Sequence, residues 1–223
     1  MKTPWLFLGL LMLVAPALAN FETVITFDEL VDGETVFSFD GDGDGIADAI
    51  FSTTDPDGFN TVGPGANQLY IDEPGLEGTT QLSPDLRVDF PFGAIDGFQF
   101  GFAMSASMET PNLTVTFRVF DDADQLIAEV TELAVFSDLG GETQSSFPEA
   151  LVSVDFDGTA QYATFDFNGE DASRYIIDNF AGVFGSIERP DPTAPIGVPM
   201  LSSWSVIALI LMMMLMVGIM RTR

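Results

Sequence analysis

The part of the chain best suited to chemistry is an acidic, glycine-rich run at residues 40–48. It reads Asp40-Gly41-Asp42-Gly43-Asp44-Gly45-Ile46-Ala47-Asp48. Carboxylates at every second position can converge on one hard cation, and Gly45 permits the sharp turn that wraps a loop around it. We therefore predict a structural Ca²⁺ site with these ligands: the side chains of Asp40, Asp42, Asp44 and Asp48 and the backbone carbonyl of Ile46.

The spacing of this run resembles the first half of an EF-hand loop, with its first three aspartates at ligand positions one, three and five. It looks still more similar to a single thrombospondin type 3 loop, D-x-D-G-D-G-I-x-D, without the cysteines of that family. Position twelve, a bidentate acid in EF-hands, is Phe51 here, so weak affinity is expected unless Asp55 or Asp57 completes the shell. The alternative is an acidic turn that holds only a loose counterion.

A weaker calcium hypothesis involves two acids that are far apart in the sequence, Asp28 and Asp178. It rests on analogy with calcium-stabilised jelly rolls, in which acids near the first strand are paired with one on the last strand. The alternative is that both are ordinary exposed acids at strand ends.

Composition excludes several classes of function. The 223 residues include 34 Asp and Glu, 7 Lys and Arg, no His and no Cys, which gives a formal charge of −27. Without His or Cys there is no imidazole base, no thiolate and no disulfide framework. The acidity argues against nucleic acid as a partner, because affinity for phosphates depends on Lys and Arg.

Carboxylate catalysis is the enzymatic class that this composition leaves open. A glycosidase needs two carboxylates at a defined separation, but among 34 acids some pair meets that condition by chance. Trp5 and Trp204 lie in the two apolar ends of the chain and only three Tyr are present, so aromatic platforms for sugars are scarce. We predict that the protein is not an enzyme.

Both ends of the chain carry apolar segments. Residues 1–19 combine Lys2, a short apolar stretch and Ala17-Leu18-Ala19, which is the layout of a cleaved signal peptide; an uncleaved anchor is the alternative. Residues 201–220 form a longer apolar run, and about twenty helical residues span roughly 30 Å, the thickness of a bilayer core. We predict a transmembrane helix there, with a buried core helix as the alternative, and with the basic end at 221–223 on the cytoplasmic side.

The segment Val198-Pro199-Met200-Leu201-Ser202-Ser203-Trp204-Ser205 precedes this span. Together with the span and the terminal Arg221 and Arg223 it resembles the IPTL-CTERM sorting signal, consensus I-P-T-L-S-E-W-G, of Gram-negative bacteria. Pro199, Leu201, Ser202 and Trp204 match, Val198 is a conservative replacement, and Met200, Ser203 and Ser205 depart from the consensus. The resemblance implies a partner of the exosortase type and delivery to the cell envelope or matrix. A simple single-span anchor, with Trp204 at the membrane interface, is the alternative.

Residues 20–188 form the predicted ectodomain, and the Pro-rich residues 189–197 form a linker. Apolar and polar residues alternate with period two along much of the ectodomain. The predicted strands are 24–28, 35–39, 68–72, 86–90, 97–103, 113–119, 125–133, 152–157, 162–167, 175–180 and 182–187. Short strands separated by glycine-rich turns predict an all-β, antiparallel β-sandwich of the jelly-roll type. Residues 48–103 also look similar to ectodomains of the PEP-CTERM group, which implies export and a sandwich fold.

One basic residue of the ectodomain, Arg87, is predicted to be a structural ion-pair partner, with ligand binding as the alternative. The ectodomain as a whole is predicted to be a secreted surface or matrix protein, supported by calcium and anchored in the envelope by the C-terminal helix before processing. The alternative function is a carbohydrate-binding module of the same architecture, with extracellular polysaccharide as its partner.

Overall fold

The computed structural model describes residues 23–61, 68–72, 74–105, 112–137, 147–169 and 172–185. These residues form an all-β domain in which every strand pairing is antiparallel. The strands in this part of the chain are β1 (Thr23–Ile25), β2 (Val36–Phe39), β3 (Ala49–Ser52), β4 (Leu76–Thr79), β5 (Leu86–Met104), β6 (Thr114–Phe120), β7 (Leu126–Leu133), β8 (Glu149–Asp155), β9 (Ala160–Asn168) and β10 (Arg174–Phe184). The predicted antiparallel all-β class is confirmed.

The strands form two layers that share β5. The first sheet has the order β2-β3-β5-β9-β6-β7 and uses the N-terminal half of β5. In the second sheet, one edge of β10 pairs with β1 and β4. Its other edge pairs with the C-terminal half of β5, which in turn pairs with β8. A bridge between Val135 and Glu149 also joins the two sheets at the ends of β7 and β8. The layers are therefore connected on both sides.

Strand β5 corrects the prediction of two separate strands at 86–90 and 97–103. Pro91 and Gly93 interrupt the alternating pattern between these two segments, because proline lacks the N–H that a ladder needs and glycine favours turns. The structure instead bends one continuous strand here, with positive φ at Gly93 (71°) and Asp96 (70°). The register with β9 shifts between Asp89 and Ala94, which accommodates the bend.

Phenylalanine rings fill the space between the layers. Phe100 on β5 lies 5.0 Å from Phe117 on β6 and 5.1 Å from Phe165 on β9, measured between ring centroids. Phe180 on β10 meets Phe51 on β3 at 5.3 Å in an edge-to-face contact. All five side chains are fully buried, so the hydrophobic effect and ring packing hold the two sheets together.

The predicted strand at 68–72 is wrong, because these residues form no strand. The segment instead lies on the second sheet on the side away from the main core. A Cβ atom on Gly101 would collide with the carbonyl oxygen of Tyr70, and Ile71 is buried in a small cluster with Ala103 and Ile176. Backbone N–H groups of the segment bond to acidic side chains, and these bonds replace a strand ladder.

Two further differences concern strand number and length. Strands β3 and β4 were not predicted, since each has four residues and too few positions to show a period. The two strands predicted at 175–180 and 182–187 are one strand, β10, which ends at Phe184. No helix in the described ranges is long and apolar enough to cross a membrane. The predicted signal peptide, linker and C-terminal helix lie outside those ranges.

Candidate functional site

The first sheet presents a broad surface on its side away from the core, which we call the outer face. Alternation along each strand sends one set of side chains to the core and the other to this face. The strand registers arrange the outward side chains in rows. One row contains Val36, Ser52, Arg87, Thr164, Arg118 and Glu129, and the adjacent row contains Ser38, Ile50, Asp89, Tyr162, Phe120 and Leu126.

Tyr162 lies at the centre of the outer face. One side of its ring stacks on Phe120, with centroids 4.8 Å apart and planes at 12°. The guanidinium carbon of Arg87 lies 3.8 Å from the ring centroid. The phenol donates a hydrogen bond of 3.0 Å to Asp124 Oδ1, and burial together with this bond raises the pKa of Tyr162. The ring is therefore held between an aromatic and a cationic neighbour.

Arg87 is held by an ion pair with Asp89, as predicted from the sequence. Its Nε donates to Asp89 Oδ1 at 3.0 Å, and the bond raises the pKa of the guanidinium. The side chains of Arg87 and Asp89 remain 40% and 38% exposed. Arg87 therefore serves a structural role and still presents its guanidinium to solvent.

Arg118 lies in the same row as Arg87, two strands away and beyond Thr164. Its Nε donates to Glu129 Oε2 at 2.7 Å, and its Nη1 donates to Asp166 Oδ2 at 3.2 Å. Neighbouring strands lie about 4.8 Å apart, so the two arginines stand about 10 Å apart on either side of Thr164. Two of the three basic residues that the structure describes are thus on the outer face of a strongly acidic domain.

The predicted calcium run forms the connection between β2 and β3. Asp48 N donates to Phe39 O at 2.7 Å, which closes the two strands around the loop. The carboxylate oxygens of Asp40, Asp42 and Asp48 lie within 4.8 Å of one another. Asp40 accepts hydrogen bonds from the backbone N–H groups of Gly43 (2.8 Å) and Gly45 (2.7 Å), and these bonds lower its pKa. The three residues fit a hard cation by donor type and proximity.

Of the other two predicted ligands, Asp44 lies outside this group, and ligation by the backbone carbonyl of Ile46 stays a prediction. The Asp44 carboxylate accepts from Ile46 N at 2.8 Å and is outside the group of three carboxylates. The side chain of Ile46 is 40% exposed. Phe51 is fully buried in the core. Asp55 and Asp57 line a different cleft and do not belong to the carboxylate group among the described residues.

Asp178, the second acid of the weaker calcium hypothesis, is buried on β10 rather than exposed. Its Oδ2 accepts from Asp72 N at 2.8 Å and its Oδ1 accepts from Asn179 N at 2.7 Å. Burial raises its pKa to about 7, and the charges of Asp72 and Asp28 add to this effect. Asp28 is thus close enough to act on Asp178, but it is exposed and accepts a bond from the hydroxyl of Thr26.

Other buried acids were not singled out in the sequence. Glu149 accepts from Leu69 N (2.8 Å) and Tyr70 N (2.9 Å), and Glu77 and Asp85 are also buried. Their partners are remote in the chain, so no local pattern marks them. The sequence does contain a signal for the outer-face residues. Residues 113–119 and 162–167 are predicted strands, and their alternation separates outward from inward side chains. This alternation does not show how the strands pair, so it does not predict which outward side chains lie in the same row.

The predicted sorting residues lie outside the described ranges. They are Val198, Pro199, Leu201, Ser202, Trp204, Arg221 and Arg223.

No protein-family model and no curated protein matches the chain. Several solved structures resemble it distantly. The K3 cleaved adhesin domain of Lys-gingipain from Porphyromonas gingivalis is 14% identical, with a TM-score of 0.38 over 73% of this chain and 99% of that domain. The mannan-recognising carbohydrate-binding module TmCBM27 is 16% identical, with a TM-score of 0.38 over 73% of this chain and 95% of the module. A variant of the family 29 module CBM29-2 is 14% identical, with a TM-score of 0.30 over 55% and 82%. Because these likenesses are distant, the function proposed below depends on residues of this chain.

Proposed function

We propose that this protein is an exported envelope protein that binds glycans on its outer face without cleaving them. The observation that carries this proposal is the row Arg87, Thr164 and Arg118 beside Tyr162 on the outer face of the first sheet. Each arginine is oriented by a carboxylate, so donors and acceptors stand next to one another. The absence of His and Cys from the sequence also favours a binding role over a catalytic one.

The chemistry of the outer face suits sugar hydroxyls. A hydroxyl donates one hydrogen bond and accepts two, so it pairs well with a carboxylate and a guanidinium held side by side. The partners Asp89, Asp166 and Glu129 are between 38% and 47% exposed, which leaves them within reach of a ligand. Two arginines stand against these three carboxylates, so the surface has a small negative excess, which favours a neutral polysaccharide over an anionic one.

Tyr162 contributes an amphipathic edge rather than a stacking platform. Phe120 and Arg87 occupy the two sides of its ring, so a ligand meets the ring edge and the polar groups beside it. Leu126, 52% exposed, extends the apolar part of the row next to Phe120. A glycan lying across the strands would contact apolar C–H surface and hydroxyl partners in turn.

A glycan array probed with the full chain in mild detergent tests this function. We expect binding to at least one neutral polysaccharide, and loss of that binding in the double variant Arg87→Ala/Arg118→Ala. The exposed Asp157→Asn variant, which is outside the outer-face rows, is the matched control and should bind as the wild type does. Absence of glycan binding, or equal binding by the double variant, would contradict the proposal.

Envelope display is the second part of the proposal and is supported by the sequence. The order of an IPTL-like motif, an apolar span and a basic end, together with a signal-peptide layout, favours export and recognition by an exosortase-type enzyme. Pro199 and Trp204 are the motif positions most suited to a test, since both match the consensus.

Structural calcium is the third part. The proximity of the carboxylates of Asp40, Asp42 and Asp48 supports it, and the turn at Gly45, with φ of 86°, brings a backbone N–H onto Asp40. We propose that Ca²⁺ stabilises the β2–β3 connection, with Asp28 and Asp178 as the weaker second location. We also propose that the two sheets form a sandwich of the jelly-roll type.

A further inference from the structure

A polar cleft of about 510 Å³ lies beside β4 and the start of β10, apart from the outer face. Its walls come from three separate parts of the chain: the turn at 55–60, strand β4 with the residues after it, and residues 173–174. None of its lining residues belongs to the two rows of the outer face. The cleft is therefore a site that the proposed function leaves unused.

The carboxylate of Glu77 is a buried and constrained polar group of this cleft. The residue is 2% exposed, and its Oε1 accepts from Asn60 Nδ2 at 3.1 Å and from Arg174 Nη1 at 2.8 Å. Its Oε2 is buried and has no hydrogen-bond partner among the residues that the structure describes. A buried carboxylate oxygen without a donor is unfavourable, so Glu77 keeps an unused acceptor beside the cleft. A ligand hydroxyl reaches this oxygen when the side chain shifts toward the cleft.

Arg174 stands next to this carboxylate and is half exposed. Its side chain is 45% exposed, and the guanidinium carbon lies 5.3 Å from the centroid of the Phe147 ring. A guanidinium has five N–H donors, and the bond to Glu77 is made through Nη1. The ion pair and the ring fix the guanidinium plane beside the cleft, with donors available to an incoming oxygen.

We propose that this cleft binds a single sugar residue through a vicinal diol. One hydroxyl donates to the Glu77 carboxylate, and its neighbour accepts from the Arg174 guanidinium. The inference rests on the proposed function for its class of ligand, but it concerns a separate site. A neutral ligand fits because Glu77 and Arg174 offset each other, while Asp55 and Asp57 on the cleft wall repel anions.

Further polar groups on the cleft wall suit the remaining hydroxyls of a sugar ring. Asn60, Thr79, Gln81 and Ser173 supply amide and hydroxyl groups. The backbone at Gly78 packs directly on the hydroxyl of the buried Tyr175, where a Cβ atom would collide. This close contact restricts the backbone on one wall of the cleft, which reduces the entropic cost of binding.

Amide NMR spectra of the full chain in mild detergent test the inference. The probes are methyl β-D-glucopyranoside and methyl α-D-mannopyranoside, and permethylated glucose is the matched control that cannot donate hydrogen bonds. We expect one of the glycosides to shift the amides of Asn60, Gly78 and Ser173. Glu77→Gln should weaken this binding about tenfold, the effect of one charged hydrogen bond. Tyr162→Ala should leave the shifts at the cleft unchanged.

Each outcome separates this inference from the proposed function. Shifts at the cleft alone support the inference, and binding at the outer face is then decided by the polysaccharide footprint. Shifts at the outer face alone overturn the inference. Absence of shifts at the cleft with both glycosides, or equal shifts with the permethylated control, also overturns it. If Glu77→Gln does not fold, the wild-type shift map with the permethylated control decides the question.

Discussion

The guanidinium of Arg87 lies 3.8 Å from the ring centroid of Tyr162, on a neighbouring strand of the first sheet. The contact exists because β5 and β9 pair with Asp89 opposite Tyr162 and Arg87 opposite Thr164. It joins a cation, a ring and the Asp89 carboxylate in one exposed group. The outer face is thereby organised before any ligand is present.

Replacing Tyr162 should separate the structural role of this group from its binding role. We expect Tyr162→Ala to lower the free energy of unfolding by about 1 kcal/mol, because an exposed cation–π contact and a partly exposed aromatic pair are lost. Tyr162→Phe should keep both contacts and lose only the bond to Asp124. Urea denaturation of the two variants measures this difference. Equal stability of the wild type and Tyr162→Ala would show that the ring does not organise the face.

Calcium should raise the melting temperature of the wild type, because it binds the folded state, and the rise should grow with calcium concentration. The variants Asp40→Asn and Asp48→Asn should lose this rise, because both carboxylates belong to the group of three. Asp44→Asn should keep it, since the structure places that carboxylate outside the group. Differential scanning fluorimetry with calcium and with chelator measures the effect. A rise lost equally in Asp44→Asn would restore the ligand set predicted from the sequence, and no rise at all would contradict calcium binding.

Asp85 should make stability depend on pH. Burial raises its folded-state pKa to about 6, whereas an unfolded aspartate has a pKa of about 3.9. The folded state therefore binds the proton more tightly, and this stabilisation is full below about pH 4 and is lost as pH rises through 6. Asp85→Asn removes the buried charge while keeping an acceptor for Phe167 N.

We expect Asp85→Asn to exceed the wild type in stability by on the order of 2 kcal/mol above neutral pH, and to match it near pH 4. Chemical denaturation at the two pH values measures both differences. The exposed variant Asp157→Asn is the control and should show little pH dependence relative to the wild type. Lower stability of Asp85→Asn at both pH values would contradict this account.

Gly101→Ala should displace the segment at 68–72 from the second sheet. A Cβ atom at this position would collide with the carbonyl oxygen of Tyr70, and both groups are backbone or attached to it, so neither can rotate away. We expect a destabilisation of about 1–3 kcal/mol, the usual effect of overpacking, and faster hydrogen exchange at Leu69 and Tyr70. Gln99→Ala, two residues earlier on the same side of β5, is the control. Unchanged exchange in Gly101→Ala would show that the segment does not need this close approach.

Alanine at Pro199 and Trp204 should alter where the protein accumulates. If the tail is a sorting signal, these changes leave export intact and shift the protein between membrane and surface fractions. Fractionation of the native host with immunoblotting measures location and size. A Ser203→Ala variant, at a position that departs from the consensus, is the control. Unchanged fractionation and unchanged size of the Pro199→Ala/Trp204→Ala protein would contradict the sorting proposal.

The sequence predicted strands well where one side of the strand meets the core. Val115, Phe117 and Val119 alternate with polar residues, and this pattern identifies β6 within one residue at each end. The bend in β5 was not predictable, because Pro91 and Gly93 signal a break and only the pairing of its two halves keeps the strand continuous.

The candidate sites were predictable to different degrees. The Asp40–Asp48 spacing is local, so the sequence identified three of the residues that come together, but it could not show that Asp44 bonds to Ile46 instead. The rows of the outer face depend on strand registers. Glu149 is fixed by amides of residues 69 and 70, which are distant in the chain, so its burial has no local signature.

The most direct test of glycan binding is a footprint of the bound polysaccharide on the full chain. Hydrogen exchange, or amide NMR shifts, recorded with the polysaccharide selected on the array would locate the contact surface. We expect protection or shifts at Arg87, Tyr162, Thr164 and Arg118, with none in the Arg87→Ala/Arg118→Ala variant. A footprint confined to other surfaces, or one that persists in the double variant, would contradict it.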